Sequence, residues 1–388
     1  MAVTKIDSSM LEDVGGANNL VKLDSNAKIP AGPAGGLSVK PGPFTNASDP
    51  AVDSNKTLGF EWLNSTSGEM YICTDATAGA NVWINVGAGT GDIQKLYQGT
   101  QKGFTSGSGD PTTLPPGDTI DWYSFTSDGN ATDHANCSAL RAYPVGHSSS
   151  TYGYISGGQP SYYIEKYPFA SQTNGVSTGY NLSTGSATRD YPAGTSDTNY
   201  GYSSGGYTTT YINVIDRFSY STDGTATDVG DSTVSGFGAA GASSTTHGYN
   251  AGRSSSGGIV NVIEKFAFGS SANATDVGDL TTVISKTGGH QSETHGYKSR
   301  GYSTGYTSGA DSIQKWSFAS DANATNVGTT TVGKAYCSHA SSSTYGYVAG
   351  GTPSQSNVIE KFAFETDSNG TDVGDLTAGR AYMTGQQY

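Results

Sequence analysis

The chain repeats itself. A tripeptide of an aromatic or His, a Gly and a second aromatic recurs as Tyr152-Gly153-Tyr154, Tyr200-Gly201-Tyr202, His247-Gly248-Tyr249, His295-Gly296-Tyr297 and Tyr345-Gly346-Tyr347, with a weaker copy at Lys102-Gly103-Phe104. Successive central glycines lie 50, 48, 47, 48 and 50 residues apart. Such a chain must build one supersecondary unit again and again and bury each unit against its neighbours. The period is too long for the coils of a short-repeat solenoid.

Each copy leads to a second signature, in which an Ile precedes polar residues and two aromatics. It reads Ile120-Asp121-Trp122-Tyr123, Ile164-Glu165-Lys166-Tyr167, Ile215-Asp216-Arg217-Phe218, Ile263-Glu264-Lys265-Phe266, Ile313-Gln314-Lys315-Trp316 and Ile359-Glu360-Lys361-Phe362. A third run follows a polar turn, as in Ala274-Thr275-Asp276-Val277-Gly278-Asp279, and a fourth begins near Arg141, Arg189, Lys286, Lys334 or Arg380. Four short β-prone runs per unit, divided by Gly, Asn, Asp and Ser, match a four-stranded propeller blade in count and period. The 55 Gly and 25 Tyr suit strands and tight turns, and aromatics at 11% argue against disorder. The fold expected over 93-388 is therefore an all-β propeller of six four-stranded blades.

The order of elements resembles the kelch family: a basic residue before the inner strand, then a strand ending in Gly157-Gly158, Gly205-Gly206 or Gly350-Gly351, then the aromatic third strand. Two units depart from it, with Gly252-Arg253 and Arg300-Gly301. The first unit starts at its second strand, whereas the last runs on into Arg380-Ala381-Tyr382-Met383-Thr384-Gly385, an inner-strand sequence with no successor. The C-terminal strand is expected to close the first blade, with Leu96-Tyr97-Gln98 as the competing inner strand.

Residues 1-45 read as an extended attachment segment ending in a Pro/Gly linker, and 46-92 as a small β-module of three strands around Trp62, Tyr71 and Trp83. The opening Val3-Thr4-Lys5-Ile6-Asp7 through Asn19-Leu20-Val21-Lys22-Leu23, the Trp/Tyr/Cys module and repeats ending in Asn-Ala-Thr-Asp-Val-Gly resemble marine bacteriophage tail-fibre and virion structural proteins. That resemblance implies an N-terminal virion anchor, with Ile6, Met10, Leu11, Leu20, Val21 and Leu23 as attachment residues, other virion proteins as partners, and a distal propeller. It leaves a homotrimer open.

A net charge of -13 without any Lys/Arg cluster disfavours nucleic acid and anionic membrane surfaces. Cys73, Cys137 and Cys337 are too scattered for a metal cluster or a disulfide framework, and no apolar run suggests a signal peptide or membrane insertion. Synthesis in the host cytoplasm and residence in the virion follow as expectations. His147, His290 and His339 fall near one repeat position, but no carboxylate or cysteine recurs beside them, so they are expected to line a polar channel or cap turns, with no metal and no cofactor. The Asp128 and Asp223 turns are explained by Asx-turn chemistry. The recurring Glu-Lys pairs read as structural, because a catalytic pair is usually unique in a chain.

Function is sought where the units differ. The loops after the Gly-pair strand carry Tyr162, Tyr163, Tyr207, Tyr211, Arg253, Tyr302 and Tyr306, on one face of the ring and suited to glycan or protein contact. The reading is a non-enzymatic tail fibre or receptor-binding appendage that meets a host-surface glycan. The alternatives are a capsid decoration or head fibre that binds only viral partners and a polysaccharide-degrading propeller enzyme.

Overall fold

The computed structural model describes residues 42–86, 99–109, 117–185, 187–303 and 310–388. Among them there is no helix; the chain is all-β and divides into two compact units, Met1–Ile93 and Gln94–Tyr388. The attachment residues Ile6, Met10, Leu11, Leu20, Val21 and Leu23, the loop residue Tyr306 and the competing strand at Leu96 lie outside the described residues.

In the first unit, Phe44–Asn46 pairs in parallel with Glu61–Asn64, which continues antiparallel through Met70–Asp75 to Val82–Asn85. The sheet thus has four strands where the sequence suggests three, and it starts ahead of the expected boundary at 46. The extra strand was hidden because Phe44-Thr45-Asn46 follows a Pro/Gly stretch and is too short to show alternation. Trp62, Tyr71, Cys73 and Trp83 form its core.

Among the described residues, the second unit contains six antiparallel sheets. Five have four strands each. The sixth has five, and its innermost strand is the C-terminal Thr384–Gln387, paired antiparallel with Lys102–Ser108. The inner strands Val145–Ser148, Ala193–Ser196, Ala240–Ser243, Gly288–Gln291, Ser338–Ser341 and Thr384–Gln387 lie side by side in chain order, and the last adjoins the first. The arrangement is consistent with a β-propeller, whose closure leaves only short strand edges open.

The repeat motifs follow from this packing. Strand side chains alternate between faces, and both faces of each sheet are covered by neighbours. In Ile263-Glu264-Lys265-Phe266, Ile263 joins a core with Trp316 and Ala324 of the following unit, and Lys265 reaches Asp321 there. Glu264 and Phe266 turn the other way, toward Thr233 and toward Tyr202 and Ile215. Opposite Phe266 in register stands Gly248, where a Cβ would run into the aromatic ring. The same relation holds for Gly103 and Tyr123, Gly153 and Tyr167, Gly201 and Phe218, Gly296 and Trp316, and Gly346 and Phe362. The central glycine of the repeat is therefore room for the third strand's aromatic.

Five of the six signatures carry an acid, which is buried and ties two sheets together. Glu165 accepts from Ser138 N and Oγ, at 2.5 and 2.9 Å, and pairs with Arg141; Asp216 accepts from Ser183 N and pairs with Arg189. Glu264 takes Thr233 and Arg253, Glu360 takes Thr331 and Arg300, and Asp121 takes Thr377 and Arg380. Burial would raise the Glu264 carboxyl, but Arg253 and its hydroxyl and amide donors hold it below the usual carboxylate range.

Where the repeat loses its arginine, the structure compensates. Arg141, Arg189 and Arg380 each stand two residues before a backbone turn at Tyr143, Tyr191 and Tyr382; Gly236 and Ile284 fill that position in two other units. In the first of these, Arg253 supplies the guanidinium from the second strand, and a Cβ at Gly236 would crowd its side chain at 3.1 Å. In the second, the acid itself is replaced by Gln314, which still accepts from Thr281 N at 2.9 Å but carries no charge. A buried guanidinium requires a carboxylate; Arg300 of this unit meets Glu360 of the next, where Lys334 stands at the arginine position. Removing the acid alone, as in Glu264→Ala, strands Arg253 and should cost about 3–5 kcal/mol, read as a lowered urea midpoint. The double change Arg253→Met/Glu264→Gln should recover most of that loss, and equal losses in both variants would disprove the account.

Candidate functional site

Ahead of every inner strand stands one residue in the left-handed region: Tyr143 (φ 62), Tyr191 (φ 52), Gly238 (φ 74), Lys286 (φ 55), Tyr336 (φ 59) and Tyr382 (φ 63). An L-residue there costs about 1–2 kcal/mol. The conformation aims each N–H at the carbonyl of the preceding unit's residue. Tyr191 N donates to Tyr143 O at 3.0 Å, Gly238 N to Tyr191 O at 2.9 Å and Lys286 N to Gly238 O at 2.6 Å. Tyr336 N donates to Lys286 O at 3.3 Å, Tyr382 N to Tyr336 O at 2.8 Å and Tyr143 N to Tyr382 O at 3.3 Å, closing the circle.

The side chains of this collar pack on one another. Ring centroids lie 4.3 Å apart for Tyr143 and Tyr191, 4.4 Å for Tyr336 and Tyr382, and 5.3 Å for Tyr191 and Tyr336. Phe237, next to the side-chain-free Gly238, sits 5.4 Å from Tyr191. The Lys286 ammonium lies 5.6, 5.5 and 5.3 Å from the ring centres of Phe237, Tyr302 and Tyr336. Burial pushes its pKa down to about 8, and the negative faces of the rings favour a cation there.

The collar forms the mouth of a cavity of about 130 Å³. Three residues further along each inner strand is a waist of Gly146, Gly194, Gly241, Gly289, His339 and Gly385. The inner strands approach so closely that a Cβ at Gly194 would stand 2.7 Å from Gly146 O. His339 is the exception, and its imidazole fills the space that Gly288 leaves empty. Beyond the waist is a second cavity of about 70 Å³, lined by Ser148, Ser196, Ser243, Gln291 and Gln387. These side chains bind the inner strands together: Ser148 N donates to Ser196 Oγ, Ser196 N to Ser243 Oγ, Gln291 N to Ser341 Oγ, Ser341 N to Gln387 Oε1 and Gln387 N to Ser148 Oγ.

Three of the tyrosines named from the sequence join the collar. Tyr211 stacks on Phe237 at 5.8 Å, Tyr207 meets Phe237 and Tyr211, and Tyr302 packs on Tyr336 at 5.5 Å. Tyr207 also exchanges backbone hydrogen bonds with Asp190, whose carboxyl burial raises to about 7 while Gln159 donates to it at 2.9 Å. Tyr162 and Tyr163 form a separate pair, their hydroxyls 3.2 Å apart. Arg253 must be corrected. It is buried in the ion pair with Glu264 and is not a surface contact residue, because its unit lacks the usual arginine and borrows this one.

Tyr143, Tyr191, Tyr336, Tyr382 and Phe237 were missed. Their signal lies in the sequence, since four tyrosines recur two residues after Arg141, Arg189, Lys334 and Arg380. Lys286, grouped with those cations by sequence, instead occupies the tyrosine position two residues on.

The histidines are held between sheets. His147 contacts Thr195 O at 3.2 Å and Ser156 Oγ at 2.9 Å; His290 contacts Ala340 O and Ser299 Oγ in the same way. His290 and His339 lie 5.1 Å apart, and among the described residues no group of three His, Cys, Asp or Glu could hold a metal ion. The Asp223 and Asp128 turns carry exposed ion pairs to Lys166 and Lys361. Compared with known protein families and with curated proteins, the chain gives no match.

Burial lowers His147 and His290 to about 4, and burial beside His290 and Arg300 holds His339 well below its ordinary value. The unfolded chain takes up these protons near pH 6.5 whereas the folded chain refuses them until about pH 4. Stability is therefore fully present above about pH 6.5 and falls through that window, by at most roughly 3 kcal/mol for each of the first two. Urea denaturation at pH 7 and pH 4.5 should show this loss, and His147→Gln/His290→Gln should flatten the dependence; an unchanged slope would disprove it.

Proposed function

We propose that the chain is a non-enzymatic virion structural protein, a tail fibre or receptor-binding appendage, and that its repeat region is a six-bladed kelch-like propeller presenting the tyrosine collar to a host-surface glycan. The observation that carries this reading is the convergence of aromatic side chains at one mouth of a rigid ring. Tyrosine offers an apolar ring and a hydroxyl with few rotatable bonds, which suits the alternating apolar and polar faces of a sugar. The order of motifs, with its Gly pair altered in two units, supports the kelch-like description.

The recurring acids are engaged by arginine and by Ser or Thr donors between sheets, which supports a structural role over a catalytic one. The virion assignment rests on the N-terminal resemblance and on the expectation that residues 1-45 dock to other virion proteins.

Mass spectrometry of purified particles should find the chain, and immunogold labelling with an antibody against 93-388 should mark tail fibres or the tail tip. Label spread over the head would favour decoration, and absence from particles would sink the virion assignment. Binding of the purified chain on a glycan array is expected, with loss on Tyr207→Ala/Tyr211→Ala.

A further inference from the structure

We propose that the outer face of the N-terminal sheet is an interface that takes a second copy of this chain. It stands independently of the glycan-binding reading. The inner face of that sheet holds the aromatic core of Trp62, Tyr71, Cys73 and Trp83, and side chains along a strand alternate between faces. The residues between them therefore stand on the opposite side. Thr45 pairs with Leu63, Leu63 with Met70, and Val86 N donates to Met70 O, which sets one row across all four strands. Beside it runs a second row of Glu61, Ile72 and Ile84. Ile84 is 39% and Val86 50% exposed, and Leu63, Met70 and Ile72 are half-buried. A sheet face left to water is normally polar; these two rows carry five large apolar side chains and one charge.

The chain covers the inner face itself, since Trp62 Nε1 donates to Ser48 O and Trp83 Nε1 to Ala51 O in the stretch between the first two strands. An apolar outer face needs a second layer of its own. Sheets of this size are marginal unless a disulfide, a metal or association staples them. Cys73 is a free thiol, and among the described residues no group of three His, Cys, Asp or Glu could hold a metal ion. Association is the staple that remains, and a second copy presents an equal apolar face of equal length, which packs sheet on sheet at about 10 Å. Charge points the same way. Between residues 42 and 86 five carboxylates stand against Lys56 alone, and of these only Glu61 lies in the two rows, so two copies meet through their least charged side. Five large side chains fall short of the roughly 800 Å² per partner of a stable interface, so the pairing is reversible and depends on concentration.

The test measures the light-scattering mass of the full chain from about 1 to about 100 μM, the range over which a micromolar contact fills. The mass should climb from that of one chain to at least twice it, and raising NaCl from about 20 to about 300 mM should strengthen the association by screening the carboxylates. Ile84→Lys/Val86→Lys should hold the chain at one copy, whereas Val332→Lys, a similarly exposed change in the second unit, should leave the association intact. Carbene footprinting uses the unaltered chain, so it decides the matter even if the double variant folds poorly: labelling of Met70, Ile72 and Ile84 should fall as the concentration rises. A single copy at every concentration would overturn the proposal, as would association that weakens with salt or survives in Ile84→Lys/Val86→Lys. Labelling of the three residues that does not change with concentration would overturn it too, because another part of the chain or no partner at all would then be covering the face.

Discussion

The circle of six backbone hydrogen bonds from Tyr143 round to Tyr382 and back is the constraint on which the rest of the second unit depends. It requires six residues, five of them not glycine, to adopt a backbone conformation that L-residues resist. Each link joins neighbouring units, so no unit can form its link alone, and the last bond joins the two ends of the repeat region. Below the collar the inner strands come together at the glycine waist, and at the far end a second set of bonds joins Ser and Gln side chains to backbone amides. The axis is thereby fixed at three levels, by backbone, by close approach and by side chains.

Away from the axis, the buried acids, with their arginine and Ser or Thr partners, perform the same task between sheets. Their value lies in geometry as much as in energy, since a buried pair gains little over a well-packed apolar one while a broken pair is strongly destabilising. This asymmetry explains why every buried acid of the signatures keeps an arginine, even where the repeat position has lost it. Arg253 and Arg300 replace arginines absent from the repeat position, and where Arg300 turns to Glu360 of the next unit the acid of its own unit is Gln314. The collar follows a different rule. Its backbone is repeated while its side chains vary, and the Lys286 and Gly238 positions break the pattern of tyrosines.

Much of this was legible in the sequence. Strand number per unit, the all-β class and the aromatic signatures come from local patterns, because alternation and turn residues act over a few positions. The role of the central glycines was not legible, since Gly248 meets Phe266 only after the two strands pair. Arg253 looked like a surface residue because it stands where other units have a second glycine near a variable loop; only the pairing of its strand with Gly258–Ala267 sets it against Glu264. The fourth strand of the N-terminal sheet escaped notice because three residues carry too little periodicity.

The sequence by itself determined a chain of near-identical β units, for the physical reason that glycine spacing and two-residue alternation are properties of neighbouring residues. The tertiary structure alone decided the collar, the glycine waist and which cations are buried. Tyr143 and Tyr382 stand at opposite ends of the repeat region, and they meet because the sum of small rotations between sheets returns the last inner strand to the first. No local pattern of residues encodes that sum.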